Sequence, residues 1–95
     1  MMEERLREIL LAALHFNVTD IHFSFDTVNN TVTIDMRAGE KMKRLKRDEN
    51  DPALFRYLMY QANLDVSNAF LPQTGSFEMV IGKMHLSLRF AVVNS

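Results

Sequence analysis

The chain has 95 residues, enough for one small domain with one core. Its 47% hydrophobic and 24% charged residues give the balance of a soluble globular protein rather than a disordered one. A net charge of −1 argues against a dedicated nucleic-acid binder, the lack of cysteine fits a reducing compartment, and no run approaches the ~18 apolar residues of a membrane span.

The opening stretch MMEERLREILLAAL mixes acids and bases before a short apolar run. It lacks the basic start and small-residue cleavage site of a signal peptide, so the chain reads as cytoplasmic. Leu6, Ile9, Leu10, Ala13 and Leu14 recur at helical spacing and predict an amphipathic helix ending near Asn17. Glu3, Glu4, Arg5, Arg7 and Glu8 are expected on its wet side, with Glu3 and Arg7 placed for an i,i+4 pair.

Alternation then replaces the helical period. Ile21, Phe23 and Phe25 point one way, and His22, Ser24 and Asp26 the other. Asn29-Asn30 is a two-residue hairpin signal, because asparagine tolerates positive φ. The return strand puts Val32, Ile34 and Met36 inward, and Gly39-Glu40 turns the chain into KMKRLKR, a short exposed strand. Asp51 as N-cap and Pro52 at the first helical position announce a second helix. Leu54, Phe55, Leu58, Met59 and Ala62 form its buried stripe, which fades near Asn63. Phe77, Met79 and Ile81 then lead through Gly82-Lys83 into a strand with Met84, Leu86, Leu88, Phe90 and Val92 on one side. The order α-β-β-β-α-β-β implies an α+β fold, with two helices packed on one face of a mostly antiparallel sheet.

Leu71-Pro72-Gln73-Thr74-Gly75 spells the pattern by which sortases recognise cell-wall proteins. Such a signal needs a membrane span after it, and here Glu78, Lys83, His85 and Arg89 interrupt an alternating strand. Pro72 and Gly75 read instead as turn residues between the second helix and the Phe77 strand.

Catalytic signatures are lacking. No serine sits in a G-x-S-x-G setting and no Walker A pattern occurs, so these residues are expected to turn over nothing. Asp20, His22 and His85 lack the tight spacing of a metal site. Lys41, Lys43, Arg44, Lys46 and Arg47 are followed by Asp48, Glu49 and Asp51, which offset their field, so the run reads as a solvated edge. By pattern alone Arg89 pairs with Glu78 across the last hairpin; the other reading presents its guanidinium to an anion on another molecule.

Four motifs, in order, carry a resemblance over Leu6 to Val93: VTDIHF (Val18 to Phe23), MRAGE (Met36 to Glu40), QANLDVSNAFLPQTGSF (Gln61 to Phe77), and Leu86-Ser87-Leu88-Arg89-Phe90. Together they resemble the N-terminal domain of the type II secretion and type IV pilus assembly ATPases, most closely the competence branch used for DNA uptake. The resemblance implies a PAS-like domain, residues 1–95, that precedes a RecA-like motor not present in this chain. It implies a homo-hexamer at the inner face of the cytoplasmic membrane, in contact with the pilus or secretion machinery. ATP and magnesium belong to the motor, no cofactor to this domain, and no direct nucleic-acid contact is expected. The family's N-terminal domain packs on the adjacent subunit's motor and can send arginines to its phosphates. On that basis Arg89, matching the last-strand arginine, and Arg37, matching the hairpin arginine, are the expected phosphate contacts. Asp20, His22, Pro72, Gln73 and Gly75 carry over as family-motif residues, Asp20 and His22 as organisers of the fold. Ser76 stands where many relatives keep a second phosphate-facing arginine. The alternative is a free-standing ligand- or protein-binding module with no motor.

Overall fold

The computed structural model describes residues 1–64 and 73–93. The elements run α1 (Met2–Phe16), β1 (Asp20–Asp26), β2 (Thr31–Ala38), β3 (Lys41–Arg44), α2 (Asp51–Gln61), β4 (Gln73–Ile81) and β5 (Met84–Val93). The strands form one mixed sheet in the order β3-β2-β1-β5-β4. β1 and β5 pair in parallel at its centre, and the other neighbours are antiparallel.

Turn chemistry explains the chain reversals. Asn17 caps α1 in the left-handed region at φ 54°, its N–H reaching the carbonyls of Ala13 and Leu14. Asn30, at φ 52°, takes the expected left-handed conformation, but the β1–β2 connection runs from Thr27 to Asn30 rather than over Asn29 and Asn30 alone. The Asp26 carboxylate also organises that turn, accepting the N–H groups of Val28 at 3.0 Å and Asn29 at 3.3 Å. Gly39 (φ 64°) and Gly82 (φ 61°) take the positive dihedrals that end β2 and β4.

Alternation divides the sheet into two unlike faces. Ile21, Phe23, Phe25, Val32, Ile34, Met36, Leu86, Leu88, Phe90 and Val92 are all buried, on the face that meets the helices. Ile9, Ala13, Leu54, Phe55, Leu58 and Met59 supply the helical side of this core. The rings of Phe23, Phe90 and Phe77 stack in a row across β1, β5 and β4, with centroids 5.1 and 5.6 Å apart.

The helical stripe departs from the expected one. Leu14 is 42% exposed, whereas Arg5 is buried. Arg5 lies one and two turns before Ile9 and Ala13, on the buried stripe rather than the wet side. Its Nε donates to Asp51 Oδ1 at 2.7 Å, Nη2 to the Lys46 carbonyl at 2.7 Å and Nη1 to Glu8 at 3.2 Å. This network makes burial tolerable, because every face of the guanidinium finds an acceptor. No Glu3–Arg7 pair forms; the i,i+3 pair Arg5–Glu8 does. Asp51 is not the N-cap of α2 either. Asn50 holds that position without a side-chain bond, and Asp51 opens the helix proper, where its carboxylate accepts both Arg5 and the Asp48 N–H.

Gly75 is also corrected. It lies inside β4, not in a turn, and Gln73 begins the same strand. A Cβ there would meet Leu64 Cδ2 at 2.6 Å, so glycine is favoured by close packing against that side chain rather than by a turn dihedral. Leu71 and Pro72, and with them the expected turn, lie outside the described residues.

Candidate functional site on the open face of the sheet

The face of the sheet opposite the helices is polar, and register decides which side chains meet there. Arg44 on β3 stands opposite Asp35 on β2, Asp35 opposite His22 on β1, His22 opposite Arg89 on β5, and Arg89 opposite Ser76 on β4. One lane therefore crosses all five strands. The next lane toward the β2–β3 turn carries Arg37, Asp20, Ser87 and Glu78.

Charges in the first lane are unequally matched. Arg44 grips Asp35 through two bonds of 2.9 and 3.2 Å, a bidentate pair that occupies the carboxylate and raises the guanidinium pKa. His22 Nε2 is shielded from water without a hydrogen-bond partner, although the side chain as a whole is 39% exposed. Asp20 Oδ2 lies 3.8 Å from it, beyond hydrogen-bonding reach.

Arg89 is different. It is exposed, and no carboxylate lies within ion-pair distance of it among the described residues. The expected pair with Glu78 does not form, because Glu78 faces Ser87 while Arg89 faces Ser76. Around Arg89 lies a shallow depression of about 380 Å³, lined by His22, Ser24, Thr74, Ser76 and Ala91. Hydroxyl donors, an imidazole and an uncompensated guanidinium suit an anion there better than a cation.

Arg37 is exposed on the same face. Strand spacing and rise put its Cα about 12 Å from that of Arg89, too far for one phosphate group but within the span of a polyphosphate. The structure thus gathers Arg89, His22, Asp20 and Arg37 on one face. Gly75 and Ser76 line the depression beside Arg89, and Gln73 begins the strand that carries them. His85 extends β5 beyond this cluster, and the described residues hold no group of three or more potential metal ligands.

Sequence placed Arg44 in a solvated basic run and gave no sign of its pairing with Asp35. Alternation placed Asp35 on the polar side, but only strand order shows that it flanks His22.

Among the described residues no helix is long and apolar enough to cross a membrane. No protein-family model and no curated protein matches the chain.

Proposed function

We propose that the chain is the non-catalytic N-terminal assembly and regulatory domain of a hexameric traffic ATPase, one that powers pilus or pseudopilus assembly for DNA uptake. In this reading the open sheet face turns toward the motor of an adjacent subunit, and Arg89 contacts the phosphates bound there. The observation that carries it is the guanidinium of Arg89, set among hydroxyls with no acid among the described residues to neutralise it. Such a charge costs little in water and becomes useful when an anion is brought to it.

ATP and magnesium would be supplied by the motor of the parent protein, and nothing in this domain performs the phosphoryl transfer. Its own residues do three things. Arg89 places positive charge beside the transferring group, Arg37 extends that field, and Asp20 with His22 holds the face between them. Ser76 adds no charge where a second arginine would, so the electrostatic contribution rests on fewer cations. An arginine supplied in trans accelerates phosphoryl transfer by ~10³–10⁵ where it is the principal charge; one of several weaker contacts should contribute less, about tenfold or more.

The test uses the full-length protein. Arg89→Ala should lower ATPase turnover at least about tenfold, and shift stability by less than ~0.5 kcal/mol because the side chain is exposed and unpaired. Unchanged turnover would remove the phosphate contact.

A second reading, a protein-binding module without a motor, is favoured by an apolar groove of about 520 Å³ between α1 and β4, lined in part by Leu10, Leu11, Tyr57, Met79 and Ile81. A Walker A motif in the coding sequence after Ser95 decides for the first reading, and a stop codon for the second.

A further inference from the structure

The two edges of the sheet are built differently. β3 is four residues long, wholly exposed, and carries Lys41, Lys43 and Arg44, the short cationic design that discourages strand addition. β4 is nine residues long with Glu78 as its one charge, and among the described residues it pairs with β5 alone. Its helix side opens on the apolar groove, where Leu11 is 53% and Tyr57 44% exposed.

We infer that β4 is a self-association edge, pairing antiparallel with β4 of a second copy. Three observations choose this occupant. The first is register: pairing about Phe77 aligns all nine residues and places the two Phe77 rings opposite each other. The aromatic row Phe23–Phe90–Phe77 ends at that edge, and the second copy's row continues it.

Charge is the second. In this register Glu78 of the second copy stands opposite Ser76, in the lane of Arg89. Among the described residues neither Glu78 nor Arg89 has an ion-pair partner. Their Cα atoms would be two strands apart, about 9.6 Å, and the small Ser76 between them leaves room for the long side chains to meet. Two-fold symmetry makes the pair twice. Registers centred on Glu78 would instead oppose like charges.

Third is the matching of apolar surface. A two-fold axis perpendicular to the sheet keeps the helices of both copies on one side. The two grooves then face each other across the junction and cover Leu11, Leu14 and Tyr57. An edge of about 30 Å, with sheet and helix layers some 20 Å deep, buries roughly 600 Å² per copy, near the lower limit for a specific interface. The dimer is therefore expected to be weak and to form over the micromolar range.

The inference rests on neither functional reading, and since the pair engages Arg89, it and phosphate contact are mutually exclusive states. It is tested without nucleotide, by sedimentation equilibrium of the 95-residue chain from micromolar to near-millimolar concentration. A monomer–dimer equilibrium is expected. Glu78→Arg and Arg89→Glu should each weaken it at least about tenfold, and the double exchange should restore it, since the two charges are merely swapped. Leu11→Glu, on the exposed groove, should weaken it while circular dichroism stays unchanged. A monomer at every concentration overturns the inference. A dimer insensitive to both single exchanges, or a double exchange that fails to restore it, overturns the pairing.

Discussion

Replacing Asp51 by alanine removes the buried carboxylate that holds Arg5. The Asp51 carboxylate is 2% exposed and accepts Arg5 Nε at 2.7 Å, Arg5 Nη2 at 3.3 Å and the Asp48 N–H at 2.9 Å. Without it, a buried guanidinium keeps only Glu8 and the Lys46 carbonyl, and a backbone N–H loses its acceptor. Although burial disfavours the charge, Asp51, Glu8 and Asp48 together outweigh it and raise the Arg5 pKa, so Arg5 cannot escape by deprotonating. Breaking a buried pair from one side costs about 3–5 kcal/mol. For a chain of this length the whole stability is about 5–14 kcal/mol, so roughly a fifth or more is lost and the midpoint falls by ~15–30 °C. Arg5→Met should cost roughly half as much. The carboxylate it strands keeps the Asp48 N–H, sits at the positive end of α2, and can take up a proton. The double variant Arg5→Met/Asp51→Leu should recover most of the loss, since apolar replacement of a buried pair is often neutral. Thermal and urea unfolding, followed by circular dichroism, gives all three values. If Asp51→Ala lies within ~1 kcal/mol of the parent, or Arg5→Met proves the more damaging, the reasoning fails.

Gly75→Ala should destabilise by about 1–2 kcal/mol because its Cβ would press on Leu64, and Leu64→Ala should abolish that increment in a double-mutant cycle read by urea unfolding. Asp48 is held below its ordinary pKa of 3.8, first by the Asn50 backbone N–H and then by the Asn50 side chain. A carboxyl depressed in the folded state stabilises above its unfolded pKa, and the contribution is lost as pH falls through the folded one. Asn50→Ala should therefore flatten part of the stability change below pH ~4, with the Asp48 resonance titrating nearer its ordinary value by NMR. The Arg89 turnover and Glu78/Arg89 exchange experiments complete the set.

Much of the architecture was legible because it is local. The period-2 runs through Ile21 to Phe25, Val32 to Met36 and Leu86 to Val92 show their buried face directly, since a strand must hide alternate side chains. The turns at Asn30, Gly39 and Gly82 are legible for the same reason: their positive φ is a property of a few bonds. Arg5 was misplaced because charge outweighed position. It sits on the stripe of Ile9 and Ala13, and only a partner 46 residues away makes that affordable. Gly75 looked like a turn residue because its constraint is Leu64, a neighbour that local spacing does not reveal.

The candidate site divides in the same way. Alternation put His22, Asp35 and Arg89 on the polar side of their strands, and that much belongs to the sequence. Which of them stand side by side depends on β1 lying between β2 and β5, in parallel with the latter. Hydrogen-bond pairing between strands so far apart in the chain leaves no periodic trace. The sequence determined the elements, their inner faces and the polarity of the open face, all set by bonds and contacts within a few residues. Tertiary structure alone decided that Arg89 faces Ser76 rather than Glu78, that Arg5 is buried against Asp51, and that β4 is left at an edge.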